Sequence, residues 1–165
     1  MPQAGDTLTP TDQPQGLIAQ YERVTSSASA AGTTELGYVN MNGIPVRNGY
    51  SYKVTWLRAI PVSSASFSGS ALRIRGSQSG TAVVGSTMLR GGEARTLEPA
   101  STSNGEEITF SGVWECTSSG TLSLWFGFVR TDGAGTITMF GSASAFSKFL
   151  VEEIGPTQTN SGTDL

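Results

Sequence analysis

Along most of this chain apolar and polar residues alternate with a period of two. From Asn48 to Pro61 the sequence NGYSYKVTWLRAIP puts Tyr50, Tyr52, Val54 and Trp56 on one parity and Ser51, Lys53 and Thr55 on the other. Successive side chains of a strand point to opposite faces, so this predicts a central β-strand with three aromatics in the core and its polar set in water. The segment opens at the Asn48-Gly49 turn signal and closes at Pro61, which has no N–H to give to a ladder. The other segments read as partners for this one.

Residues 16–24, GLIAQYERV, predict a first strand. Leu36, Tyr38, Met41, Ile44 and Val46 follow, interrupted at Asn42-Gly43 and Asn48-Gly49, which predicts two short strands because Asn-Gly is a strong hairpin signal. Residues 62–70 read as a loop anchored by Phe67. In 71–76 Leu72 and Ile74 point in while Arg73 and Arg75 point out. Residues 81–89 predict a short strand, Arg90-Gly91-Gly92 a turn, and 94–99 a brief edge strand stopped by Pro99. In 106–116 Ile108 and Phe110 share a face, and Gly112 permits a bulge that re-phases Trp114.

Residues 121–129 alternate Leu122, Leu124, Phe126 and Phe128 inward with Ser123, Trp125 and Gly127 opposite. Asp132-Gly133-Ala134-Gly135 is a connecting turn before a strand over 135–141. In 145–156 Phe146, Phe149, Leu150 and Ile154 would also share a helical face. That segment is read as a final strand because it ends a run of strands and is bounded by Gly141 and Gly155-Pro156. Eight to ten short strands set apart by turn signals predict an all-β antiparallel β-sandwich of jelly-roll type. The flanks differ in kind: residues 1–15 hold three prolines and one large apolar residue, Leu8. The expected organisation is an extended N-terminal arm over 1–15, a β-sandwich over 16–155 and a polar C-terminal tail over 156–165.

Composition sharpens this picture. With 165 residues the chain is large enough for one domain with a true core, and 14% charged residues suit a turn-rich β protein rather than a disordered one. A net charge of -3 argues against a nucleic-acid binder, which needs a basic stripe. The charge is uneven. Six basic residues (Arg23, Arg47, Lys53, Arg58, Arg73, Arg75) face only Glu35 between Arg23 and Arg75, whereas from Gly76 onward four basic residues face nine acidic ones. Two readings stay open: a mixed solvated surface, or complementary patches that meet between copies of the chain.

The single cysteine, Cys116, permits no intrachain disulfide and reads as a small buried hydrophobe beside a strand. No apolar run approaches the roughly 18 residues of a membrane span. The start MPQAGDTLTP lacks signal-peptide features, which predicts a product made and kept in the cytoplasm or released by lysis.

The chemistry is sparse. There is no histidine, which removes the commonest general base and metal ligand. Glu106-Glu107 and Glu152-Glu153 are neighbours in sequence, so on strands each pair splits between faces; both read as solvated strand ends. Gly-rich pieces lack the lysine and helix of a phosphate loop, and Asp132 stands alone in its turn. The expectation is no catalytic residue, no metal, no cofactor and no enzymatic activity. Trp125, opposite the inward row of its strand, belongs either to a second packed layer or to an interface, where Arg73 and Arg75 are further candidates.

The start GLIAQYERVTSSAS, the middle IPVRNGYSYKVTW and the close FLVEEIGP resemble small virion proteins of tailed phages that infect actinobacteria, of the head decoration, head fibre and minor tail types. The resemblance covers roughly residues 16–156, and its most distinctive piece is the close over 151–156, with Glu153 where the family pattern has Asp. It implies a jelly-roll module, often a homotrimer, held on the outer capsid surface by an extended arm, with the major capsid protein as partner. Leu8, Leu17 and Ile18 are then the candidate arm anchors. Neither nucleic acid nor membrane is an expected partner. The alternative is a minor tail or fibre-tip protein that binds a host-surface glycan.

Overall fold

A computed structural model describes residues 16–23, 25, 32–65, 68–98, 106–142 and 146–157. They form β1 (Gly16–Arg23), β2 (Leu36–Val46), β3 (Tyr50–Ala59), β4 (Pro61–Ser63), β5 (Ser68–Ser77), β6 (Thr87–Glu98), β7 (Ile108–Glu115), β8 (Gly120–Arg130), β9 (Ile137–Met139) and β10 (Ser147–Pro156). Among the described residues there is no helix. Eight strands run in the order β1-β10-β3-β7-β6-β5-β8-β2, and β4 pairs with β9 in a separate ribbon. The long sheet folds over between β7 and β6, where one bridge, Arg90 to Val113, joins its halves. The layers are therefore β1-β10-β3-β7 and β6-β5-β8-β2. Their antiparallel pairs, β1 with β10, β2 with β8, β3 with β7 and β5 with β6, amount to one long ribbon wound so that successive pairs alternate between layers. That winding is a jelly roll, as the pattern predicts.

The fold-over depends on glycine. A Cβ on Gly112 would lie 2.7 Å from the Leu89 Cβ and 2.9 Å from the Gly92 Cα, and one on Gly92 would lie 2.9 Å from the Ile74 carbonyl oxygen. Backbones come this close only without side chains. Gly91-Gly92 is thus not a turn. It is a bulge inside one continuous β6, whose register jumps between Arg73 and Arg75 of β5. Gly112 is not a bulge either, because Val54 pairs with it directly and Phe110 and Trp114 keep the parity of Trp56 and Tyr52.

Three further expectations are corrected. Asn42-Gly43 is a bulge within β2, so only Asn48-Gly49 turns the chain. Strand structure in the segment over 81–89 begins only at Thr87, with Val83 and Val84 exposed in a loop. The stretch over 62–70 contains part of β4 and the start of β5. Leu8, Phe67 and Pro99 lie outside the described residues.

Tyr52, Val54 and Trp56 are fully buried, as are Leu72, Ile74, Leu122, Leu124, Phe126, Phe128, Phe149 and Val151. Tyr50 is only half-buried. The polar parity of β3 is not in water. Ser51 and Thr55 are buried because β10 and β7 flank β3, with Leu150 and Ser111 directly beside Thr55; Lys53 alone reaches solvent. The last segment is a strand, with Phe149 and Val151 inward and Ile154 exposed.

Gly16 pairs with Glu153, and Pro156 pairs with Tyr50. Thr157 donates its N–H to the Gly49 carbonyl at 2.7 Å and its hydroxyl lies 3.0 Å from that of Ser51. The first strand therefore begins and the last strand ends at one end of the sandwich, beside the Asn48-Gly49 turn, and among the described residues the last tie is at 157.

One strain point is built into β3. Two residues, Leu57 and Arg58, oppose one residue of β7, and Arg58 takes a φ of 56°. For an L-residue that left-handed conformation costs roughly 1–2 kcal/mol. The site is held by a Ser147 hydroxyl bond to the Arg58 carbonyl at 3.0 Å. Replacement by glycine removes the steric cost, whereas alanine keeps it. Arg58→Gly should therefore be more stable than Arg58→Ala by about 0.5–1 kcal/mol in urea unfolding, the reverse of the ordinary strand preference. An alanine variant equal to or better than glycine contradicts the bulge geometry.

Candidate functional site

The outer face of β5 and β8 brings the three predicted interface residues together. Arg75 pairs across the sheet with Trp125, and Arg73 pairs with Gly127 on one side and Glu93 on the other. Both arginines are already occupied. Glu35, just before β2, accepts from Arg75 Nε and Nη2 at 3.0 and 2.9 Å and from Arg73 Nη1 at 3.0 Å. Glu93 accepts from Arg73 Nε at 2.8 Å and Arg95 Nε at 2.6 Å. The result is a continuous chain of five alternating charges. Trp125 is only 5% exposed. Its indole lies over two glycines, and a Cβ on Gly127 would fall 1.9 Å from the ring. Trp125 thus lies flat against its own sheet and offers no open aromatic platform.

The basic first half and acidic second half of the sequence meet within one copy. Arg47 pairs with Glu153, Arg58 with Glu107, and Arg73 with Glu93. Winding distant segments into neighbouring strands produces this without a second molecule.

Glu153 is not a solvated strand end but is 3% exposed. Arg47 binds it through Nε at 3.0 Å and through Nη2, and the Tyr52 hydroxyl donates to it at 3.1 Å. That hydroxyl accepts the Arg47 N–H at 2.7 Å, and the Arg47 guanidinium lies 3.9 Å from the centre of the Tyr50 ring. Burial pushes the Tyr52 phenol up from its ordinary value. The cluster ties the Asn48-Gly49 turn to β10 at the end where β1 begins and β10 ends. Glu152 sits on the opposite face, paired with Lys53 across the sheet, so no two-carboxylate site forms here. Glu106 is exposed, and Cys116 is buried. Among the described residues no three His, Cys, Asp or Glu side chains converge on a metal position.

Leu17 and Ile18 belong to β1, not to the arm. Leu17 is 52% exposed on the outer face opposite Glu152, and Ile18 is the extra residue of a bulge, packed against the rim of the core. Among the described residues β1 and β2 each pair on one side only, so the two layers present free edges to each other. At one end Arg23 closes the gap: its guanidinium donates to the Tyr38 carbonyl and sits 4.5 Å over the Tyr38 ring. Towards the other end a notch of about 380 Å³ opens between residues 18–21 and 40–45.

No family model matches the sequence, and no curated protein matches it significantly. Among solved structures the chain is similar to the sugar-binding C-terminal domain of EclA, with 13% identity over 80% of this chain and 74% of that one and a TM-score of 0.38. It is similar to the CBM22-1–GH10 modules of xylanase 10B from Clostridium thermocellum, complexed with xylohexaose, with 12% identity over 88% of this chain and 26% of that one and a TM-score of 0.35. It is also similar to VP2 of the infectious bursal disease virus subviral particle, with 9% identity over 92% of this chain and 42% of that one and a TM-score of 0.38. Likenesses at this level pass no function to this chain.

The Arg95 hydrogen bond, joined by Arg73 and opposed by partial burial, holds the Glu93 carboxyl below its ordinary value of 4.5. A depressed folded value means that Glu93 adds stability above the unfolded value, and that this contribution is lost as pH falls through the folded one. Glu93→Gln should lower Tm at neutral pH, with a deficit that shrinks as pH falls below the ordinary value of 4.5 and on through the depressed folded one. A deficit that is absent at neutral pH, or constant with pH, contradicts the network.

Proposed function

We propose that this chain is a structural protein of a phage virion: a decoration protein that binds the outer capsid surface and stabilises the assembled shell. The observation that carries this reading is the common exit. Gly16 and Thr157 stand at the same end of one sheet, so segments flanking both ends of the sandwich can reach the same surface while the rest projects away. The resemblance of the segments over 16–29, 44–56 and 149–156 to virion proteins of actinobacterial phages points the same way. On this reading the mechanism is linkage. A protein that binds only the assembled state stabilises it by mass action, and a trimeric arrangement would multiply the effect. The major capsid protein is the partner, the sandwich is a spacer that turns over no substrate, and residues 1–15 supply the attachment.

A second reading, a minor tail or fibre-tip protein that touches host-surface glycans, draws on the notch between β1 and β2. The first reading is tested by deleting residues 1–15. The remaining chain keeps all ten described strands, so it should fold with a thermal midpoint close to that of the full chain yet fail to co-sediment with undecorated particles. Full binding by the truncated chain contradicts attachment through the arm.

A further inference from the structure

We infer that the notch between β1 and β2 is a binding site for a neutral saccharide. This deepens the second reading above and is independent of the capsid reading, because it concerns the isolated sandwich.

The notch combines an apolar ring with uncharged polar groups. Tyr21 forms one wall. Its side chain is on the inward parity of β1, opposite Phe149, but the edge position leaves it 47% exposed. The ring packs against Phe149, with centroids 6.2 Å apart and tilted by 38°, so it is presented by the core rather than free to swing. Asn42, exposed at the β2 bulge, lies along the same lining, and Gln20 and Asn40 border it from the outer faces of their strands, opposite Leu150 and Trp125. Among the described residues lining the notch none carries a charge. About 380 Å³ falls within the range of small-ligand sites. An aromatic face that can meet C–H groups, with amides that both donate and accept, is the chemistry that recognises hydroxylated rings. The absence of cationic groups in the lining makes it a poor site for phosphates or nucleic acid.

An extended peptide is the competing occupant, since free strand edges invite strand addition. The geometry disfavours it. A peptide strand needs a regular ladder, and both edges are interrupted where they border the notch. The β1 register jumps between Leu17 and Ala19, and that of β2 jumps between Met41 and Ile44. Pro45 removes one further donor from the β2 edge. Gly43, at a φ of 72°, opens the wall at the bulge, where a Cβ would meet nothing within 4 Å. What remains is a short, irregular, amide-lined recess suited to one or two sugar units rather than to a strand.

The test is amide NMR on the ¹⁵N-labelled full chain, titrated with a panel of neutral oligosaccharides built from glucose, galactose, mannose, rhamnose and N-acetylglucosamine. A peptide of residues 1–15 is run beside them. At least one sugar should shift amides confined to residues 18–21 and 40–45. Tyr21→Ala should weaken that binding at least tenfold, and Asn42→Ala should weaken it with Tm unchanged. Asn42 is exposed, so the second variant keeps the test valid if loss of the Phe149 contact destabilises the first. The inference fails if no sugar shifts these amides at about 10 mM, which would fill a millimolar site. It fails equally if shifts map elsewhere, if both variants bind as the parent does, or if only the peptide occupies the notch. Particle binding through residues 1–15 is untouched by any of these results.

Discussion

Trp56 holds the two layers together. Its ring stacks on Tyr38 at 5.7 Å and 14°, meets Phe126 edge-on at 5.9 Å, and packs against Phe110 and Phe149 at 5.7 and 5.4 Å. Tyr38 and Phe126 come from β2 and β8 of one layer, Phe110 and Phe149 from β7 and β10 of the other. The indole is fully buried and its Nε1 has no hydrogen-bond partner. Leaving that donor unpaired costs about 1–3 kcal/mol. Burying an aromatic of this size contributes about 4–6 kcal/mol at the usual area coefficient, so packing outweighs the lost bond. Because the centre is fixed this way, the winding of the ribbon has one register, and the free edges β1 and β2 are left facing each other.

Much of this was legible in the sequence. The alternation of Tyr52, Val54 and Trp56, of Leu72 and Ile74, and of the four inward residues of β8 reports side-chain direction, which depends only on the period of a strand. The bulges were not legible. Asn42-Gly43 and Gly91-Gly92 carry the same residues that a turn would use, since both need left-handed or side-chain-free backbone. Only the partner strand decides whether the chain reverses or merely kinks. Glu153 was misjudged for a related reason. A carboxylate near a strand end is ordinarily solvated, and its burial follows from Arg47, which is 106 residues away in sequence.

The interface candidates divide along the same line. That Arg73, Arg75 and Trp125 share one outer face follows from parity and is visible in the sequence. That Glu35 and Glu93 neutralise the arginines, and that Gly37 and Gly127 let the indole lie flat, requires the pairing of β2, β5, β6 and β8. On this face the charges are paired within the chain and the indole is covered. Among the described residues the open ground lies at the outer edges of β1 and β2. The notch had no sequence signal of its own, because its two walls are more than a dozen residues apart and belong to different layers.

On the proposed reading this molecule is a part fixed to a larger body. Its most direct measurement is stoichiometry: the amount of this chain relative to the major capsid protein in purified particles, by quantitative gel or mass spectrometry. A copy number comparable with that of the major capsid protein is the predicted result. A chain absent from the particles, or present in only a few copies, would contradict the decoration reading.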